Sequence, residues 1–246
     1  MRRHIPFENL HNFRDLGGYR TADGGTVRWN VLYRSDSLAK LRGPDLDRFH
    51  ALGVESVIDL RYPWEITAKG RMPKTDGIAW HNLSIEHRPY DQAEIDPDLD
   101  PWRYLADRFA EVAADGAAEL REALEVIASA EGPLVFHCAS GKDRTGLLAA
   151  VLLGLLDVSD EQILDDFALT ELATARLVAD WHAAHPGREL RWPAYGRAPA
   201  DIMRLFLADL REEYGSVYAY VTGHVGLEPS VVEALRDRLV ERASAS

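Results

Sequence analysis

Cysteine is all but absent from this 246-residue chain, in which Cys138 stands alone. One thiol excludes an intramolecular disulfide framework and leaves Cys138 without a resolving thiol of its own. Long apolar runs are missing too. The stretch 147–156 is ten residues, against the roughly 20 that a bilayer-crossing helix needs, so it predicts a core helix and no membrane span. Residues 1–6 lack the apolar segment of a secretory signal, which predicts a cytoplasmic location. No Pro/Ser-rich linker divides the chain, and its length suits one α/β domain over 1–246. Positive charge is in deficit: 28 Lys and Arg against 40 Asp and Glu give a net charge of −12. That balance argues against nucleic acid or an anionic membrane as a partner for the whole surface. The oligomeric state is not legible.

What is present is concentrated in His137-Cys138-Ala139-Ser140-Gly141-Lys142-Asp143-Arg144-Thr145-Gly146, which lies between two apolar segments. Residues 134–136 suit a buried strand, and 147–156 are apolar on nearly every face of a helix. The loop between them would therefore sit at the positive end of a buried helix, where an anion is stabilised. Backbone N–H groups of Ala139, Ser140, Gly141, Lys142, Asp143 and Arg144 can converge on one phosphate, and the Arg144 guanidinium can grip two of its oxygens. A cysteine in such surroundings favours its thiolate form, which makes Cys138 a candidate nucleophile.

The filled pattern H-C-x5-R-[ST]-G resembles the signature of the cysteine-dependent protein tyrosine phosphatases, in particular bacterial members that also act on phosphoinositides. Asn12-Phe13-Arg14-Asp15-Leu16-Gly17-Gly18-Tyr19, Leu32-Tyr33-Arg34-Ser35, Ile58-Asp59-Leu60-Arg61 and Glu213-Tyr214-Gly215-Ser216-Val217 resemble segments of that family in the same order. The resemblance implies a cysteine-phosphatase-like fold and hydrolysis of phosphate monoesters on phosphorylated protein or phosphoinositide through a phosphocysteine, with no cofactor and no metal. A rhodanese-like sulfurtransferase also cradles a cysteine in backbone amides but has no use for Arg144-Thr145-Gly146. A non-catalytic phosphate-binding module would be expected to lack Cys138 or Arg144.

In that chemistry Thr145 can donate its hydroxyl to the departing sulfur, while His137, pointing away from Cys138 on a strand, suits a scaffold better than a base. The proton donor is less obvious. No Trp-Pro-Asp sequence occurs; Asp100-Pro101-Trp102 reverses it and Trp192-Pro193-Ala194 lacks the carboxylate. Two candidates stand: Asp143, inside the loop where the family resemblance places a possible acid, and Asp59, at the end of a strand expected beside that of Cys138. Lys142 adds a mobile charge suited to a multiply phosphorylated head group, or else balances Asp143.

Along the chain, Tyr19 to Arg28 reads as a hairpin, 31–34, 54–60, 78–85 and 134–137 as strands, and 44–52 and 117–130 as helices. Ser159-Asp160-Glu161-Gln162 reads as a capping box opening a helix, and helices follow over 202–210 and from Pro229. The pattern predicts an α/β fold, a central mostly parallel sheet flanked by helices, with a sheet-containing core over 1–157, its catalytic loop at 137–146, and a helical part over 158–246. Arg61, Lys69, Arg71 and Lys74 read as a charged loop. Tyr90, Trp102 and Tyr104, within 86–116, are candidates for a pocket wall or lid, or equally for core packing.

Overall fold

Four-residue strands buried almost entirely on both faces make the centre of the sheet. The structure, a computed structural model, describes residues 3–91, 95–96 and 98–242. Its strands are β1 (Arg14–Asp15), β2 (Thr26–Val27), β3 (Leu32–Ser35), β4 (Ser56–Asp59), β5 (Ala79–Asn82), β6 (Leu134–His137) and β7 (Val240–Glu241). Five of them form one sheet in the order β1-β3-β6-β4-β5. All its pairs are parallel except β1 with β3. β6 is thus central, and Leu134, Val135 and Phe136 are fully buried, as expected of a strand covered on both faces.

Alternation along the strands separates two cores. Tyr33, Val57 and Val135 face a smaller cluster with Phe7, Phe13 and Phe49, the last on α1 (Pro44–Ala51). Leu32, Ile58 and Phe136 face the larger cluster. Into it pack α3 (Pro101–Asp115), α4 (Ala117–Ser129), α5 (Asp143–Leu155), α6 (Asp160–Ala168), α8 (Ala200–Tyr214) and α10 (Pro229–Leu239). α5 is buried nearly all round, from Thr145 through Leu153. Truncating Phe136 to Ala beneath it should cost about 3–5 kcal/mol.

The register aligns what matters. Ser35 and Asp59 flank His137 across the sheet, so three strands end together at the edge where Cys138 begins its loop, the carboxyl edge at which open α/β sheets bind ligands.

Several local expectations change. The Tyr19–Arg28 hairpin forms its turn, with Val27 N–H donating to Tyr19 O at 2.8 Å, but the ladder partner of β2 is β7. That strand is a dipeptide directly after α10, too short for periodicity to reveal. Gln162 does not complete a capping box: its amide pairs with the Arg20 backbone, accepting at 2.8 Å and donating at 2.9 Å. Residues 63–69 are not loop but helix α2 (Pro63–Lys69), begun by Pro63 in the first turn. Asp100 caps α3 by accepting from the Trp102 and Arg103 amides.

Candidate active site

The chain leaves β6 at His137, enters α5 at Asp143, and turns between them around the helix N-terminus. Gly141 permits the turn. Its φ is 70°, and a β-carbon there would lie 2.5 Å from the Ser35 carbonyl oxygen, so any side chain is excluded by both conformation and space.

The loop's carbonyls are claimed from behind. Ala139 O accepts from Ser37 N–H at 3.1 Å. Asn12 Nδ2 donates to Ser140 O and Gly141 O, each at 3.1 Å, and Arg34 Nη2 donates to Gly141 O at 2.8 Å. In a trans peptide the next amide points opposite to its carbonyl, so the N–H groups of Ser140, Gly141 and Lys142 turn to the front.

Asp166 of α6 anchors this underside. Its Oδ2 accepts from Arg34 Nη1 at 2.6 Å, and its Oδ1 from Arg14 Nε at 3.1 Å and the Tyr19 hydroxyl at 3.0 Å. All are buried. Burial alone would raise the Asp166 pKa, but Arg14 and Arg34 outweigh it and bring it to about 2. Arg14 therefore pairs across the fold and not with Asp15, whose carboxylate accepts the Gly17 and Asn30 amides at 2.7 and 2.8 Å.

Cys138 is a buried free thiol. The adjacent His137 is fully buried, its Nδ1 3.1 Å from Cys138 O and its Nε2 3.6 Å from Asp59 Oδ2. Burial lowers its pKa against the pull of Asp59, which suits a neutral scaffold residue. Asp59 is held by Arg61: Oδ1 accepts Nε at 2.9 Å and Oδ2 accepts Nη2 at 2.6 Å. Its pKa is lowered; burial, acting upward, is overcome by His137 and Arg61.

Arg144, on the first turn of α5, meets two carboxylates. Glu65 of α2 takes its end: Nη1 to Oε2 at 2.6 Å and Nη2 to Oε1 at 3.2 Å. Nη1 also lies 3.4 Å from Leu60 O. Of the five N–H groups of a guanidinium, this leaves Nε–H and one Nη2–H, the side-on fork. Glu86 Oε2 lies 3.5 Å from that Nε. Burial opposes the charge on Arg144, but Cys138, Glu65 and Glu86 together raise its pKa above the usual arginine value.

A cavity of about 610 Å³ opens in front, lined at one end by Ala139, Ser140, Lys142, Asp143 and Arg144 and beside them by Glu65 and Glu86. Aromatic pairs wall it: Tyr62 stacked on Trp64 at 5.5 Å, and Trp181 of α7 (Thr174–Ala184) stacked on His185 at 4.8 Å. Asp143 and Lys142 share this cavity, whereas Asp59 does not line it. For Lys142 the sequence left two roles open, a mobile charge or a partner for Asp143, and the side chain is placed beside Asp143. It is 1% exposed, with Nζ 3.2 Å from Asp143 Oδ1, because an ammonium withdrawn from water needs a carboxylate beside it. Of the aromatics expected near the pocket, Tyr90 lines it, while Tyr104 packs between Tyr90 and Trp192 and Trp102 lies against the core.

Sequence reasoning missed Glu65, Glu86, Asp166 and the Trp181 wall. Asp166 did carry a signal, a charge on the apolar period Ile163–Phe167 of a helix. Glu65 carried another, an acid in the first turn after Tyr62-Pro63.

Residues 5–241 match the tyrosine phosphatase family. The chain belongs to that family, whose members are phosphoric monoester hydrolases. It is 35% identical over 176 residues to a Cupriavidus necator protein provisionally named a tyrosine-protein phosphatase, covering 68% of this chain and 62% of that protein. It is 25% identical to the tyrosine-protein phosphatase of Nostoc commune, covering 85% of this chain and 74% of that one. Identity is also 25% to the triple specificity protein phosphatase PtpB of Mycobacterium tuberculosis, with 63% and 65% covered. The chain thus spans just under two thirds of the first and third of these relatives.

Proposed function

We propose that this chain hydrolyses phosphotyrosine in proteins through a phosphocysteine formed on Cys138, as one cytoplasmic catalytic domain. The observation that carries the reading is the orientation of the loop: its carbonyls are saturated from behind by Ser37, Asn12 and Arg34, so its amides face the cavity. A phosphate there would meet N–H groups, the α5 terminus and the side-on edge of Arg144 beside Glu86, which is the preorganised charge stabilisation that phosphoryl transfer requires.

In the first step the Cys138 sulfur bonds to phosphorus as the ester P–O bond breaks, and the leaving oxygen takes a proton from Asp143. In the second, water attacks phosphorus and returns a proton to the Asp143 carboxylate as the S–P bond breaks. Asp143 is favoured over Asp59 because it borders the cavity while both Asp59 oxygens hold Arg61. Thr145 fits the second step: its buried Oγ1 has no hydrogen-bond partner among the described residues and so can donate to the departing sulfur. Aromatic walls at Tyr62–Trp64 and Trp181–His185 suit a phenyl ring.

Phosphoinositide is the second reading, which rests on the resemblance of the loop sequence to phosphatases that act on such lipids and on the triple specificity named for the Mycobacterium relative. The primary test is turnover of p-nitrophenyl phosphate in the presence of EDTA, its inhibition by vanadate, and its loss in Cys138→Ser. Turnover that survives the substitution overturns the reading.

A further inference from the structure

Glu86 follows β5 and has no part in the mechanism above, yet it is 7% exposed and borders the cavity that holds Asp143 and Arg144. Its Oε2 stands 3.5 Å from Arg144 Nε, and its Oε1 lies 3.4 Å from Arg108 Nη2 of α3. The end of the Arg144 guanidinium is already committed to Glu65 and Leu60, so an anion must use the side-on fork, beside Glu86. A buried carboxylate next to a bound dianion is strongly unfavourable unless one of them is neutralised.

We propose that Glu86 takes up a proton from solvent when a dianion occupies Arg144, and gives it back when the anion leaves. Glu86 is then a positioning residue: charged, it completes the neutralisation of Arg144 in the empty site; protonated, it turns from competitor to hydrogen-bond donor toward the anion. The proton balance is one H⁺ taken from bulk water per anion bound and one returned on release, with no other bond made or broken.

The surroundings favour this exchange. Facing Glu86 are Arg144 and Asp143 of α5, Arg108 of α3 and the Tyr62 ring and hydroxyl. Burial raises its pKa above the ordinary glutamate value, Arg144 and Arg108 act against that, and Asp143 adds to it. The tendency to accept a proton exists before the anion arrives.

The inference rests on the phosphate-site reading, and sulfate separates the two. Sulfate is a dianion with no titration near neutrality, so protons taken up on binding belong to the protein. Isothermal titration of sulfate into Cys138→Ser, which removes the thiolate as a proton acceptor, is run at pH 7 in buffers of different ionisation enthalpy. The expected result is uptake of about one proton per sulfate, with Kd rising up to about tenfold per pH unit as pH increases. Adding Glu86→Gln should abolish the uptake and flatten that slope, whereas adding Asp143→Asn, which removes one charge that favours protonated Glu86, should reduce both without abolishing them. Binding without uptake in the Cys138→Ser protein overturns the role of Glu86 without needing a second variant. Uptake lost in Asp143→Asn but kept in Glu86→Gln transfers the proton to Asp143 and overturns it too. Failure of sulfate to bind at all removes the phosphate site itself.

Discussion

The two sides of the loop between β6 and α5 are built from the same pairs, arginine and carboxylate, in opposite proportions. Behind it, two arginines share one carboxylate, Asp166, in a dry network that also holds Tyr19 and Asn12. In front, one arginine, Arg144, meets two carboxylates, Glu65 and Glu86, at the edge of an open cavity. The excess cation behind is directed at loop carbonyls, where Arg34 and Asn12 lock the amides forward. The excess anion in front fills the place that a phosphate would take. A rigid back and a front balanced against its own ligand are what a site needs to bind a dianion tightly and release it again.

The largest effects should come from the front. Cys138→Ser is expected to lower kcat for p-nitrophenyl phosphate by roughly 10⁴-fold or more while sulfate still binds, because it deletes the nucleophile and little of the cradle. Residual turnover within about tenfold of wild type would show that the thiolate is not the attacking group. Next is Arg144→Lys. A point charge cannot hold Glu65 at one edge and phosphate at the other, so kcat/KM should fall by roughly 10²–10⁴-fold, the worth of one or two charge-assisted bonds. Near-normal rates would remove Arg144 from phosphate binding.

Behind the loop the expected damage is to folding. Asp166→Asn strands two buried guanidinium groups and should cost about 3–5 kcal/mol in denaturant unfolding. The wild-type protein offers the same test by pH. Asp166 is lowered from 3.8 to about 2 in the folded state, so its contribution is full above about pH 4 and is lost as pH falls toward 2. That is about 2 kcal/mol by linkage, and the acid limb of the stability curve should flatten in the variant.

This back-to-front division also decides what could be read from the sequence. The loop was legible because strand, glycine, arginine and buried helix are contiguous over 134–155, so local rules suffice. Gly141 could be assigned to a turn, but that it lies against Ser35 O depends on the pairing of β3 with β6. Asp166 and Glu65 were not legible as site residues, because each reaches the loop only after α6 and α2 have packed. β7 was lost for the same reason: two residues carry no period, and only their pairing with Thr26–Val27 defines a strand. Lys142 shows the limit most plainly, since the sequence left it open between a second phosphate and Asp143, and only the fold buries it beside Asp143.

A finer test separates the two carboxylates proposed as acid. Asp143→Asn should slow alkyl phosphates by about a hundredfold and p-nitrophenyl phosphate much less, since a good leaving group needs no proton. Asp59→Asn should show no such selectivity, because its carboxylate braces Arg61 and does not border the cavity. Selectivity for poor leaving groups in Asp59→Asn alone would reverse the assignment.

The smallest effect sharpens the comparison most, because Lys142 lies on the boundary between back and front. Its amide belongs to the cradle, its side chain is buried, and its ammonium reaches Asp143 at 3.2 Å. If its charge serves Asp143, then Lys142→Ala should lower kcat/KM by about tenfold, equally for a phosphotyrosine peptide and for a phosphoinositide, the cost of one charge-assisted contact. If it serves a second phosphate, the loss should fall on the phosphoinositide alone, at on the order of 1.5–3 kcal/mol. The burial observed favours the uniform outcome, since an ammonium that already holds a carboxylate in a dry site has little left to offer a head group. Measuring both substrates on the one variant therefore decides whether the front of the loop recognises a single phosphate or several.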